Sequence, residues 1–244
     1  MKERKRLDML LLERGLIQSR EKAQALIMEG KVYVSGTLVD KPGKLICSDS
    51  HVELKQEKRY VSRGGIKLEA AINAFGVDLV GKVAMDVGAS TGGFTQCLLE
   101  HGAKRVYAID VGYGLIALEF RNDARVILIE RENIRYLKKE AIPELINFVT
   151  VDVSFISLRL VLPRAKDFLA QNGEVIALIK PQFEVGKLEV GKGGIVRDPD
   201  KHQRVIKEIE MFAKDAGFIS KGIIESPITG KDGNREFFIY LQNK

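Results

Sequence analysis

Val83-Ala84-Met85-Asp86-Val87-Gly88-Ala89-Ser90-Thr91-Gly92-Gly93-Phe94 is the stretch on which the fold turns. Five mostly apolar residues predict a short buried strand. The glycine-bounded run after them predicts a tight turn, and Phe94 to Leu99 continue as a helix. A glycine turn between a strand and a helix start lets a nucleotide-like ligand approach backbone NH groups, because glycine has no Cβ in the way. A second strand over 105–109 leads to Asp110, roughly 20 residues past the turn, where a carboxylate accepts hydrogen bonds from ribose hydroxyls. The G-x-x-x-G-G spacing departs from the G-x-G-x-x-G of dinucleotide sites and argues against a bound pyrophosphate.

Outward from this stretch, further strands are predicted at 126–129, 148–153, 175–179, 218–224 and 237–241. Helices are predicted at 158–170 and 201–216, and an earlier one carries Leu68, Ala71, Ile72 and Phe75 on one face and ends at Gly76. The expected class is α/β, a Rossmann-like, doubly wound, mainly parallel sheet with sites at strand carboxyl ends. The last two strands are joined by a short glycine-containing connection and are expected to pair as a C-terminal hairpin, antiparallel to the rest.

The first quarter of the chain reads differently. A short helix begins at Leu7 and stops at Gly15; a second is capped by Ser19, carries Ala23, Leu26 and Ile27, and stops at Gly30. Val32-Tyr33-Val34, Ser35-Gly36 and Leu38-Val39 predict a strand, a turn and a returning strand. The net charge is +6, and residues 1–60 hold 13 Lys/Arg against 9 Asp/Glu, so most of the excess sits there. Such concentration favours a polyanionic partner. Residues 55–63 are polar and lead into Gly64-Gly65, which sets the expected boundaries: a small α+β domain over 1–59, a linker over 60–65 and the α/β domain over 66–244.

Composition excludes several other classes. Hydrophobic residues make up 45% and charged residues 30%, which suits a packed core rather than disorder. The longest apolar runs, such as 175–179, are too short to cross a bilayer, and the basic N-terminus lacks an apolar secretory core, so a cytoplasmic protein without a membrane segment is expected. Cys47 and Cys97 have no CxxC spacing, and His51, His101 and His202 are scattered, so neither a disulfide framework nor a metal site is expected. A monomer is the default expectation.

Two resemblances sharpen this picture. Arg6-Leu-Asp-x-x-Leu11, Gly15-x-x-x-Ser19-Arg20-x-x-Ala23, Ile27-x-x-Gly30-x-Val32-x-Val34-x-Gly36 and Pro42 resemble the RNA-binding module named after ribosomal protein S-four. The resemblance implies that its two-helix face, including Arg20, meets RNA backbone; Arg4, Arg6, Lys22 and Lys31, which decorate the surface around the helices, and Arg63 beyond the module are further expected contacts. The Asp86-Val-Gly-x-x-x-Gly-Gly-Phe94 turn resembles that of S-adenosylmethionine enzymes. It implies cofactor contacts from Asp86, from Gly88, Ala89, Ser90, Thr91, Gly92, Gly93 and Phe94, and from Asp110 and Asp152. Glu130-Arg-Glu-Asn133-Ile-Arg135 resembles a segment near the adenosine, which adds Asn133.

Lys67, Asp152, Lys180 and Glu236, in this order, resemble the Lys-Asp-Lys-Glu tetrad of ribose 2′-O-methyltransferases of the FtsJ type. Their contexts, Ser62-Arg-Gly-Gly-x-Lys67, Asp152-Val-Ser-Phe-Ile-Ser157 and Lys180-Pro-Gln-Phe-Glu184, with the N-terminal module, are similar to the TlyA family of ribosomal RNA methyltransferases, some labelled hemolysins. The resemblance implies methyl transfer from S-adenosylmethionine to a cytidine 2′-hydroxyl in small- and large-subunit ribosomal RNA, with ribosomal RNA or subunits as partners. A lysine at its ordinary pKa of about 10.4 keeps its proton at neutral pH, so a lysine base needs burial or a neighbouring cation. The resemblance makes Lys180 the base, with Lys67 lowering its pKa or orienting the hydroxyl and Asp152 and Glu236 positioning the two. The glycine-rich loop 186–194, with Lys187 and Lys192, is open to two readings, an RNA-contacting lid or a plain flexible loop. The rival functions are a noncatalytic RNA-binding protein, which leaves the tetrad unexplained, and a membrane-active hemolysin, which requires an insertion segment.

Overall fold

The computed structural model describes residues 3–55, 59–230 and 232–244, and Lys187 in its backbone alone. The chain divides into two units, Met1–Arg59 and Tyr60–Lys244. In the first unit the order is β1 (Arg4–Arg6), α1 (Leu7–Glu13), α2 (Arg20–Met28), β2 (Val32–Val34), β3 (Thr37–Leu38), β4 (Leu45–Cys47) and β5 (Val52–Leu54). Leu7, Leu11, Ala23 and Ile27 on the two helices and Val32 from β2 are fully buried and form its core. Ser19 caps α2, accepting from the Lys22 NH at 3.2 Å. Ser35 and Gly36, at φ of 49° and 77°, form the tight turn between β2 and β3, both in the left-handed region that such hairpin turns require.

The second unit is a seven-stranded sheet between two helical layers. Its strands are β6 (Val83–Val87), β7 (Arg105–Asp110), β8 (Val126–Glu130), β9 (Ile146–Val151), β10 (Leu169–Ile179), β11 (Phe218–Glu225) and β12 (Phe237–Asn243). Across the sheet they run β8-β7-β6-β9-β10-β12-β11, and the first five are mutually parallel. β6 is buried along its whole length, as a strand covered on both faces must be. Its alternate residues divide between the two faces. Met85 and Val87 join the core that includes α6 (Leu158–Lys166) and α8 (Pro199–Asp215), whereas Ala84 joins the core beneath α3 (Arg63–Phe75) and α4 (Gly93–Glu100). The short helices α5 (Leu118–Arg121) and α7 (Pro181–Glu184) complete the unit.

Three expectations change. The final strands pair antiparallel with each other, but only β12 opposes the parallel set: it lies between β10 and β11, so β11 runs in the direction of β10. The helix expected over 158–170 ends at Lys166, because the chain turns into β10 and commits Phe168 and Leu169 to the core. The linker expected at 60–65 belongs instead to the second unit. Tyr60 is 2% exposed, Ser62 caps α3 by accepting from the Gly64 NH, and Arg63 to Gly65 form the first turn of α3. A Cβ on Gly65 would lie 2.1 Å from the Tyr60 ring, so this glycine is there for close packing. The preceding residues 56–58, also read as part of the polar boundary, lie outside the described residues.

Gly65→Ala is therefore expected to destabilise the second unit by roughly 1–3 kcal/mol, as overpacking does, and to lower its melting temperature by several degrees. A flexible linker would instead show no loss, or a slight gain, in a thermal melt.

Candidate active site

The carboxyl ends of the central strands carry the expected site. Asp152 follows β9 directly, Lys180 follows β10, and Glu236 precedes β12, whose antiparallel direction brings its start to the same edge. The β10–β12 ladder pairs Ile179 with Phe237, so one further step sets Lys180 across from Glu236. Lys67 reaches this edge from α3, which packs on α4.

The four side chains form two ion pairs. Lys67 Nζ donates to Glu236 Oε2 at 2.5 Å, with both side chains nearly buried. Lys180 Nζ lies 2.6 Å from Asp152 Oδ1 and donates a hydrogen bond to Ser154 Oγ at 3.1 Å. Asp152 Oδ1 is buried and receives no aligned hydrogen bond among the described residues, so its contact with Lys180 is one of charge. Removing one partner of such a sheltered pair strands the other charge at a cost of roughly 3–5 kcal/mol, which favours keeping both. All four residues line one cleft of about 640 Å³, together with Ser62, Arg63, Gly88 to Thr91, Gly93, Phe94, Ser154, Phe155 and Phe183.

A second cleft of about 420 Å³ adjoins the first and shares Gly88, Ser90, Asp152, Ser154 and Phe155 with it. Asp110 and Asn133 line it, with Val111, Glu132 and Ile134. The Asp110 carboxylate accepts from the backbone NH groups of Ser90 at 2.8 Å and Gly112 at 2.7 Å. Each oxygen thus spends one acceptor position on the loop and retains another for a hydroxyl. Gly88, at φ 90°, packs so closely that a Cβ would sit 2.3 Å from the Asp152 carbonyl oxygen. Polar acceptors beside apolar walls suit an adenosine group, so the residues present fit S-adenosylmethionine.

Two residues expected at the cofactor stand elsewhere. Asp86 is fully buried and lines neither cleft: its carboxylate accepts from Thr95 Oγ1 of α4 at 2.7 Å and from Thr150 Oγ1 of β9 at 3.1 Å. It holds the strand, the helix and the neighbouring strand together. Gly92, also absent from both linings, opens α4 at φ 96°, where a Cβ would lie 2.8 Å from the Phe120 ring. Residues outside the expectation include Ser154, Phe155 and Phe183, which line the first cleft. The loop 186–194 is tied to α8, with Glu189 accepting from Arg204 Nη2 at 2.7 Å and its carbonyl from Lys201 Nζ at 3.2 Å. The Lys187 side chain lies outside the described residues.

In the first unit the expected RNA contacts fall into two groups. Arg6 and Arg20, both exposed, converge on the buried Asp8: Arg6 makes a two-pronged contact at 3.0 and 2.9 Å, and Arg20 Nε donates at 3.2 Å. The Arg6 hydrogen bond foremost, with Gln24 and Arg20 assisting against burial, holds the Asp8 carboxyl well below the usual carboxylate range. Arg4 and Lys22 are exposed separately, and Lys31 pairs with Glu29 at 2.7 Å. Arg63, in the second unit, lines the first cleft.

A family model described as FtsJ-like methyltransferase matches residues 60–243, and one described as S4 domain matches residues 5–52. YqxC of Bacillus subtilis (strain 168) is 49% identical across 98% of this chain and 86% of its own length. The 16S/23S rRNA (cytidine-2'-O)-methyltransferase TlyA of Mycobacterium tuberculosis (strain ATCC 25618 / H37Rv) is 42% identical across 100% of this chain and 92% of its own. A solved structure from Streptococcus thermophilus bearing a hemolysin label is similar with a TM-score of 0.76 at 43% identity, covering 100% of this chain and 90% of that one.

Asp86 supplies a test of the packing beneath the clefts. Burial pushes its carboxyl up to about 7, against the lowering effect of the Thr95 and Thr150 hydroxyls. Between the unfolded carboxylate value and about 7, the folded chain binds a proton that the unfolded chain has lost. Stability therefore falls as pH rises through that window, by at most about 1.4 kcal/mol per pH unit for one proton, and is flat below it. Asp86→Asn should remove this component, so that the variant gains on the parent protein in melting temperature from pH 4 to 7. An unchanging difference would place the charge elsewhere.

Proposed function

Because this chain belongs to the FtsJ-like methyltransferase family and carries an S4 domain ahead of the catalytic one, we propose that it methylates a ribose 2′-hydroxyl of ribosomal RNA from S-adenosylmethionine. The observation that carries this reading is the pair of lysine–carboxylate contacts, Lys180–Asp152 and Lys67–Glu236, lining the same cleft as the glycine turn after β6. The activity named for the relative from M. tuberculosis supports a cytidine as the target. Ribosomal RNA or a ribosomal subunit is then the partner and the cytoplasm the setting. No helix among the described residues is long and apolar enough to cross a membrane, so the hemolysin label borne by a relative finds no support from such a segment.

Asp110, Asn133 and the 88–91 turn would hold the cofactor, which supplies an electrophilic methyl group when bound. The chain's own contribution is alignment and proton removal. Lys180 Nζ, directed by Asp152 and Ser154, would hold the ribose hydroxyl and, in its neutral amine form, accept the hydroxyl proton as the oxygen takes up the methyl group. Lys67, fixed by Glu236, orients the same hydroxyl. A positioned base typically contributes about 10²- to 10⁴-fold. Arg63 in the cleft lining, and Arg6 and Arg20 set by Asp8, supply phosphate contacts that confer affinity without reading sequence.

The experiment is transfer of labelled methyl from S-adenosylmethionine to ribosomal subunits that lack the modification. The intact chain should label them, and Lys180→Ala should fall at least about 10²-fold while still binding cofactor. Failure of the intact, folded chain to label either subunit or free ribosomal RNA would overturn the reading in favour of a noncatalytic RNA-binding protein.

A further inference from the structure

We propose that Glu184 is a positioning residue for methyl transfer: with Ser157 it fastens the loop bearing Asp152, Ser154 and Phe155 to the turn bearing Lys180. The proposal rests on the reading of this cleft as a methyltransferase site.

Both segments emerge from neighbouring parallel strands. The β9–β10 ladder ends at the pair Val151 and Ala177, just short of Asp152 and Lys180. Beyond that point the register of the two catalytic groups needs another cross-link, and Glu184 supplies it. Its Oε2 accepts from Ser157 Oγ at 2.6 Å and its Oε1 from the Leu158 NH at 2.8 Å. Ser157 also caps α6, accepting from the Arg159 NH at 3.1 Å, so the helix start is anchored to the same carboxylate. Adjacent to Glu184, the Phe183 ring lies 5.0 Å from that of Phe155, a second contact between the same two segments.

The loop requires such a restraint. Phe155 has φ 63°, a conformation that side chains rarely adopt, and it is 91% exposed, so burial in the core does not hold it. Backbone held in that region persists where surrounding contacts over-determine it. The loop carries both groups that address Lys180, the Asp152 carboxylate and the Ser154 hydroxyl. Glu184 lines neither cleft, so it acts through these residues and not on the substrate. Burial pushes its carboxyl above the ordinary value while the Ser157 hydroxyl and Leu158 NH pull it down. A carboxylate sheltered in this way is poorly suited to a solvated surface role and well suited to two fixed acceptor bonds.

The test uses the full chain in single-turnover methyl transfer to unmodified ribosomal subunits at saturating S-adenosylmethionine, comparing Glu184→Ala, Ser157→Ala and Glu184→Gln. Glutamine keeps an acceptor for the Leu158 NH and turns its amide toward the Ser157 oxygen, so it preserves the cross-link. The alanine variants should slow by about 10- to 100-fold, the scale of a catalytic group displaced by an ångström. Their cofactor affinity and subunit KM should change far less, and Glu184→Gln should recover most of the rate. An unchanged rate in Glu184→Ala overturns the proposal. So does a rate loss matched by lost cofactor binding and a lowered melting temperature that glutamine does not repair, since Glu184 would then serve stability alone. An intact chain that transfers no methyl overturns the methyltransferase reading itself, and this proposal with it.

Discussion

Gly88 lies against the carbonyl of Asp152 with no room for a side chain, and the Asp152 NH donates to the Val87 carbonyl at 2.9 Å. This backbone contact joins the turn after β6 to the loop after β9, and both clefts are built around it. On one side the turn offers Ser90 and, through it, Asp110; on the other, Asp152 faces Lys180. A side chain at position 88 would separate the second cleft from Asp152 and Lys180. The alignment on which a single displacement step depends is in this sense a property of two backbones that Gly88 lets meet before it is a property of any base.

The elements beneath that contact are arranged to keep it rigid. Asp86 ties β6 to α4 through Thr95 and to β9 through Thr150, in a core where an unpaired polar group would be costly. Gly93 and Ser62 bring the starts of α4 and α3 together: a Cβ on Gly93 would lie 2.1 Å from Ser62 Oγ. Lys67 reaches Glu236 from a helix that is itself pinned at its first turn. Function needs this stiffness, because two ion pairs drawn from four separate elements have to meet at one edge.

Much of this was legible in the residues. The strand, glycine turn and helix of 83–99 announced themselves because their apolar period switches from that of a strand to that of a helix over a few residues. What escaped had physical reasons. β1, β4 and β5 are three residues long and too short to show any period. Gly64-Gly65 suggested flexibility, whereas Gly65 is required by the Tyr60 ring. Phe168 and Leu169 continue an apolar pattern that fits a helix equally well, and only the demand of the sheet draws them into the turn and β10. Asp86 looked like a ligand because it borders the glycine turn, yet it shares the parity of Ala84 and therefore belongs beneath α4. The tetrad was visible only through ordered resemblance, since Lys67 and Glu236 are 169 positions apart and no local pattern links them. Ser157 and Glu184 stood within quoted motifs, but their contact across 27 positions emerges only when β9 and β10 lie side by side.

The central claim is that two lysine–carboxylate pairs act on a ribose hydroxyl and not on a base. Digestion of methylated ribosomal RNA to nucleosides, followed by mass spectrometry, locates the transferred methyl most directly. The account predicts the added mass on the sugar fragment, as a 2′-O-methylnucleoside. A methyl on the base fragment would contradict it, because an aromatic ring nitrogen or carbon has no need of the arrangement that Lys180, Asp152, Lys67 and Glu236 provide.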